Sequence, residues 1–271
     1  MKTFKISLII LFLFASFIVK ADESPFHNFE EGTTQFLIAD DVNIRDAAST
    51  DGKVIATLPI ATEVNIIQKT EEYYTLFMLD LPWYKISFVQ DGETINGYVW
   101  AGLIAQEYFY EKEKDNYFLF GIAGYNEDEG YKRIEFQLRV AHKNEEIDKK
   151  IVSTHPDFSL LYFKMSDNKK MKGVENVLSI EYAAEYCGGA SGEFYFFYVN
   201  EKLYLAKKII EGFDAPYYHY EKLIFPSDEC GIADRVLWIM RSGGGEEDDM
   251  EPDEVEVKLY KWENLKLVED K

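Results

Sequence analysis

The sequence predicts a mainly β protein: a small N-terminal barrel over residues 36–106, then a larger antiparallel β domain over residues 107–271, built as a sandwich or meander. Three observations carry this reading. Short stretches rich in Val, Ile, Tyr and Phe recur along the chain, separated by charged turns or by pairs such as Asp51-Gly52, Asp91-Gly92 and Asn96-Gly97. Apolar and polar residues alternate with the period of a strand, as where Ile134, Phe136, Leu138 and Val140 interleave with Glu135, Gln137 and Arg139. Val255, Val257 and Leu259 repeat the pattern between Glu254, Glu256 and Lys258. Only one segment, "NEEIDKKIV" at 144–152, has a spacing compatible with a helix, and it is short.

At the N-terminus, Lys2 and Lys5 precede an apolar run from Ile6 to Val19 that only Ser7 and Ser16 interrupt, and Val19-Lys20-Ala21 follows. Residues 1–21 therefore read as a signal peptide, too short for a comfortable membrane span, which implies a secreted or periplasmic protein. Residues 22–35 are polar and aperiodic, as in a loose arm. "VNIR", "VIATL", "EVNII", "WYKISF" and "NGYVW" then supply five short strands, enough for a small barrel that closes its own edges. Between them, "EEYYTLFMLDLP" at 71–82 reads as a long, apolar loop. Further strands are expected at 117–123, 158–165, 174–183, 193–199, 202–210, 218–225 and 234–241, with a polar turn at "NEDEG", 126–130. Two hairpins echo each other: "FYFFYVNEKLYLAKK" and "VKLYKWENLKLVEDK" both place an aromatic strand before an Asn-containing turn.

Composition excludes some classes. A chain with 47% hydrophobic and 16% aromatic residues buries a core and is not disordered. Its formal net charge of −20 becomes about −23 without the three leader lysines, and such a surface repels phosphate backbones. Nucleic acid is thus not an expected partner. The two cysteines, Cys187 and Cys230, would meet in an oxidising compartment, where a disulfide is expected. Closing a loop of about 43 residues, it would contribute roughly 4 kcal/mol.

Within 36–106, Val42, Asn43, Ile44 and Arg45 open a pattern that Ser49, Val54, Ile55, Leu58 and Val64 continue and that Trp83, Lys85, Ile86, Gly92, Gly97, Val99 and Leu103 complete. In order and spacing this resembles the bacterial SH3-like domain. Ala48 stands where that family usually has proline, Ala61 where it has a turn glycine, and Tyr98 where it has the tryptophan of Gly-Trp-Val. The resemblance implies an accessory module that binds cell-wall peptide or another extracytoplasmic ligand. Aromatic rings between its loops can form a flat groove for an extended peptide. Tyr73, Tyr74, Trp83, Tyr84, Tyr98 and Trp100 are the candidate ligand-binding residues, although strand alternation must send some of these rings into the core.

Catalytic constellations are weaker. Cys187, in "EYCGGASGEFYFFY", can be written with His219 and Asp214 or Glu221 as a peptidase triad. Such a thiol normally opens a helix whose N-terminus lowers its pKa, and here a strand follows instead. Ser191 lacks the final glycine of a nucleophile elbow, because Glu193 stands there. The carboxylates of "SGGGEEDDMEPDE", 242–254, lack the spacing of a calcium loop and read as a solvated turn. His27, His142 and His155 lie in separate turns without metal-ligand spacing, and no phosphate loop or dinucleotide fingerprint occurs. No catalytic residue, metal or cofactor is therefore expected.

The sequence thus points to an exported, non-catalytic binding protein of the cell envelope, with cell-wall peptide or an envelope protein as its partner. The alternatives are a cysteine-dependent cell-wall hydrolase using Cys187 and His219, and a structural subunit of an envelope assembly.

Overall fold

Strand-forming stretches in the sequence become strands almost without exception. The computed structural model describes residues 27–128, 130–185, 188–189, 191–245 and 251–270, and among these there is no α-helix. Three antiparallel sheets follow one another along the chain. The first is a curled half-barrel of β1 (Thr34–Phe36), β2 (Val42–Arg45), β3 (Val54–Leu58), β4 (Glu63–Leu76), β5 (Leu79–Gln90) and β6 (Glu93–Trp100), in the order β1-β4-β5-β6-β2-β3. A single 3₁₀ turn, Ala101–Leu103, leads to the second sheet. That sheet contains β7 (Glu107–Glu111), β8 (Asn116–Asp128), β9 (Tyr131–His142) and β10 (Glu145–Thr154), ordered β10-β9-β8-β7.

The third sheet is an eight-stranded meander. Its strands are β11 (Leu160–Ser166), β12 (Asn176–Ala183), β13 (Ser191–Val199), β14 (Lys202–Asp214), β15 (Tyr217–Ile224), β16 (Val236–Gly244), β17 (Glu251–Glu263) and β18 (Lys266–Glu269). The two echoing hairpins are both present, as β13–β14 and β17–β18. Asn200-Glu201 and Asn264-Leu265 turn them with positive φ at both central residues, the geometry that suits the strands' own twist.

The central strands of the second sheet, β8 and β9, are covered on both faces, while β7 and β10 at its edges are more open. Towards the third sheet it presents Phe118, Phe120 and Phe136. The Phe118 ring meets Tyr198 edge-on at 5.0 Å, and Phe136 meets Phe194 at 6.3 Å. Towards the half-barrel it presents Leu119 and Ala141, which pack with Phe36, Ile38, Ile60 and Ala61. Gly121 lies on this side because a Cβ there would sit 2.7 Å from Ile38 Cδ1. The half-barrel therefore shares its core with the rest of the chain. The third sheet also curls on itself: Trp262 of β17 meets Phe197 of β13 at 4.9 Å, enclosing a separate core with Val177, Leu223 and Trp238.

Several local expectations are corrected. Residues 27–35 are not a loose polar arm, since His27 and Phe29 are buried and β1 pairs with β4. Residues 71–82 are not a loop: they extend β4 and β5 into a long hairpin, turned at Phe77-Met78 with φ of 51° and 59°. The hairpin tip reaches the second sheet, where Tyr125 N–H donates to Phe77 O at 3.0 Å. The helix-compatible segment 144–152 is β10, and a register shift between Glu146 and Asp148 disturbs the two-residue period that would have marked it as a strand. Asn96-Gly97 is not a turn but part of β6. Gly97 is needed there because a Cβ would lie 2.4 Å from Ile44 Cγ2. In the acidic segment 242–254, the described residues on both sides belong to paired strands β16 and β17 rather than to a loop.

Residues 1–21, the expected signal peptide, lie outside the described residues, as does Cys187. Among the described residues no helix is long and apolar enough to cross a membrane. The structure does not show the expected disulfide: Cys230 is free and exposed. A maleimide reagent is accordingly expected to label Cys230 in the native protein without reductant, and mass spectrometry of the labelled peptides reads the result. Labelling that appears only after reduction would show that the thiol is bonded.

Candidate functional site

The half-barrel carries a groove of about 190 Å³ between the segment that opens β2 and the long β4–β5 hairpin. Its floor is aromatic. Trp83 and Trp100 face each other in the β5–β6 register and are 4% and 5% exposed, so only their edges reach the groove. Trp100 is fixed in place: its Nε1–H donates to Tyr74 O at 2.9 Å and lies 3.2 Å from Leu81 O. Tyr74 stands on this floor, its ring edge-on to Trp100 at 6.1 Å and 82°. Being half-buried, it is the one tyrosine of the candidate set with a usable face in this groove.

The six rings predicted from sequence thus separate by position. Trp83 and Trp100 are buried supports and not free stacking surfaces. Tyr84 is fully buried on the opposite face of β5, where its hydroxyl donates to His27 O at 3.2 Å and accepts from Phe29 N–H at 3.0 Å. It is a latch for the N-terminal segment and not a ligand contact. Tyr73, next to Tyr74 on a strand, points to the other side and is 45% exposed. Tyr98 lines a different depression with Asp46, Ala48 and Thr70. The structure does not bring the six together.

Residues missed by sequence reasoning complete the rim: Asp40, Asp41, Arg45, Leu76 and Leu103. Asp40 Oδ1 accepts from Ile60 N–H at 3.1 Å, and Arg45 Nη1 donates to Gly52 O at 2.6 Å. Asp41 makes no hydrogen bond or ion pair among the described residues, so its carboxylate is available to a ligand. Its pairing with Asp40 just ahead of "VNIR" was visible in the sequence. Leu76 was hidden by reading the hairpin as a loop.

Residues 40–105 match the family model of the bacterial SH3 domain. The match covers a partial segment of the chain and coincides with the half-barrel, whose strands extend a little beyond it on the N-terminal side. Bacterial SH3 domains commonly bind cell-wall peptides and occur in extracytoplasmic proteins. No curated protein and no solved structure is significantly similar to the chain.

A second open groove, about 510 Å³, lies on the third sheet and is lined by Glu185, Ser191, Glu211, Phe213, His219 and Tyr220, among others. His219 Nε2 is 3.0 Å from Glu221 Oε1, and Glu221 Oε2 accepts from Trp238 Nε1–H at 3.1 Å. Glu221 is therefore held where it orients the imidazole. Burial raises the Glu211 carboxyl above its usual range, and the charges of Glu181 and Glu193 add to this. Ser191 Oγ accepts from Ala184 N–H at 3.0 Å. Among the described residues no group of His, Cys, Asp and Glu is arranged to hold a metal ion.

Proposed function

We propose that the chain is an exported, non-catalytic binding protein of the cell envelope, secreted or periplasmic, whose bacterial SH3 segment binds an extended peptide of the cell wall or of an envelope protein. The observation that carries this reading is the groove at Tyr74, with its immobilised indole floor and the available carboxylate of Asp41. An aromatic face fixed from beneath contributes apolar contact at little entropic cost, and a neighbouring carboxylate favours an ammonium-bearing side chain. The signal-like segment 1–21 supports export.

The test is sedimentation with purified peptidoglycan. Wild-type protein is expected in the pellet, and Tyr74→Ala is expected to weaken retention roughly tenfold with little change in melting temperature, as for a contact residue at an interface centre. Wild-type protein that stays in the supernatant at every loading would remove the reading and favour a structural subunit.

The His219–Glu221 pair favours a second reading, a cysteine-dependent hydrolase with Cys187 as nucleophile. Cys187 itself lies outside the described residues. Peptidoglycan hydrolysis that iodoacetamide abolishes in wild type, that Cys187→Ser lacks and that Cys230→Ser retains would establish it over the first.

A further inference from the structure

Between the half-barrel and the second sheet lies a second cleft, about 300 Å³, that neither the family match nor the groove at Tyr74 accounts for. One wall comes from the half-barrel: Ile38, Leu76, Phe77, Trp100 and Leu103. The other comes from β8, β9 and β10, with Ile122, Tyr125 and Ile151 as apolar members and Glu135, Gln137, Arg139 and Lys149 as polar ones.

The arrangement of charge is unusual for this chain. Arg139 and Lys149 are direct partners in the β9–β10 register, so two cations sit side by side on one face. Like charges directly opposite on neighbouring strands are destabilising. Arg139 has some compensation, since its Nε–H donates to Gln137 Oε1 at 2.9 Å and its Nη1 pairs with Glu146 at 2.8 Å. Lys149 is only partly exposed and has no hydrogen bond or ion pair among the described residues. Glu135, the one acid lining the cleft among the described residues, accepts from Asn126 Nδ2–H at 2.7 Å. The cleft thus holds a net positive, incompletely compensated pair inside a chain of net charge −20, above a wall of aliphatic and aromatic side chains.

We infer that this cleft captures the carboxy-terminal residue of a peptide, its free α-carboxylate at Arg139 and Lys149 and its apolar side chain against Leu76, Phe77, Trp100 and Leu103. A bound carboxylate removes the repulsion between the two cations and gives Lys149 the partner it lacks. Arg–carboxylate hydrogen bonds are among the stronger ones available. The volume is at the small end of ligand pockets, which run from about 300 Å³ upward, so it suits one or two residues. Capture of a terminal carboxylate is a recurrent mode of peptide recognition. This site does not require that the Tyr74 groove bind anything, although the two share Leu76, Trp100 and Leu103 as lining.

The probe is N-acetyl-Ala-Phe with a free carboxylate, compared with its C-terminal amide and with decanoate, in ligand-observed NMR titrations of the full chain. The free acid is expected to bind at least tenfold more tightly than the amide. Lys149→Gln should weaken the acid by three- to tenfold while leaving the amide unchanged, and Arg139→Gln should do the same. Lys149→Gln removes no hydrogen bond or ion pair among the described residues, so its result stands even if the arginine variant is unstable. The titration is read on the free dipeptide acid against its amide, so its outcome stays separate from that of the peptidoglycan assay. Equal binding of acid and amide, or no binding of either, would overturn the site. Decanoate binding without dipeptide binding would overturn the peptide as its occupant.

Discussion

Replacing Phe136 by alanine is expected to lower the unfolding free energy by about 4 kcal/mol, in the range for large-to-small changes in a closed core. Phe136 is fully buried, and the rings of Phe120, Phe158, Tyr182 and Phe194 surround it at centroid distances of 6.1, 5.7, 6.3 and 6.3 Å. These rings come from two sheets and from the segment that joins them, so the space left by the side chain cannot close by moving one strand. Part of the loss is transfer free energy and part is the cavity. The half-barrel should feel the change too, because the second sheet carries Phe136 on one face and holds the half-barrel on the other. The four tryptophans report both regions: Trp83 and Trp100 the half-barrel, Trp238 and Trp262 the curled third sheet. Urea titration followed by fluorescence and circular dichroism measures the shift. A loss below about 1 kcal/mol would mean that the two sheets do not close on this ring.

The second large effect is on pH dependence. Burial lowers the His27 imidazole from its ordinary 6.5 to about 4. Among the described residues neither ring nitrogen has a hydrogen-bond partner, and the ring meets Phe29 edge-on at 6.3 Å. In the folded protein this histidine stays neutral as pH falls, whereas in the unfolded chain it takes up a proton near pH 6.5. Between about pH 6.5 and 4 the unfolded state therefore binds more protons, and stability falls with pH. The loss from this group between pH 7.5 and 5 is about 2 kcal/mol. His27→Phe removes the titration without removing a side-chain hydrogen bond, since the backbone N–H still donates to Gln106 Oε1. The variant is expected to match or exceed wild type at pH 7.5 and to exceed it by about 2 kcal/mol at pH 5. Unfolding curves of both proteins across this range read the difference. Parallel pH profiles would sink the account.

How much of this was legible in the sequence depends on whether a feature is local. The alternation around Phe136, the Asn-containing turns after Val199 and Glu263, and the "VNIR" to Leu103 pattern all act within a few residues or one hairpin, and each gave the right element. Where a local irregularity intervened, the reading failed. The register shift at Glu146/Asp148 disguised β10, and the apolar hairpin tip at Phe77-Met78 resembled a loop because its cover, Gly124 and Tyr125, lies far along the chain. The site was less legible than the fold. Six aromatic positions were chosen for type and neighbourhood. The structure leaves Tyr74 in the groove, places Trp83 and Trp100 beneath it, turns Tyr84 inward onto the His27–Phe29 segment, and sends Tyr73 and Tyr98 elsewhere.

The sequence by itself determined that this chain is built from antiparallel strands, where most of them lie, and that residues 40–105 form a bacterial SH3 segment. Those properties rest on two-residue periodicity, turn chemistry and a short ordered motif, all encoded within neighbouring residues. Only the tertiary structure decided that the half-barrel is fused to a second sheet whose central strands are covered on both faces, that Cys230 is a free, exposed thiol, and that Arg139 and Lys149 share a cleft with Trp100. Each of these depends on which strands become neighbours and which face is covered. A strand's own sequence shows that it has two faces, but it does not show what will pack on either of them.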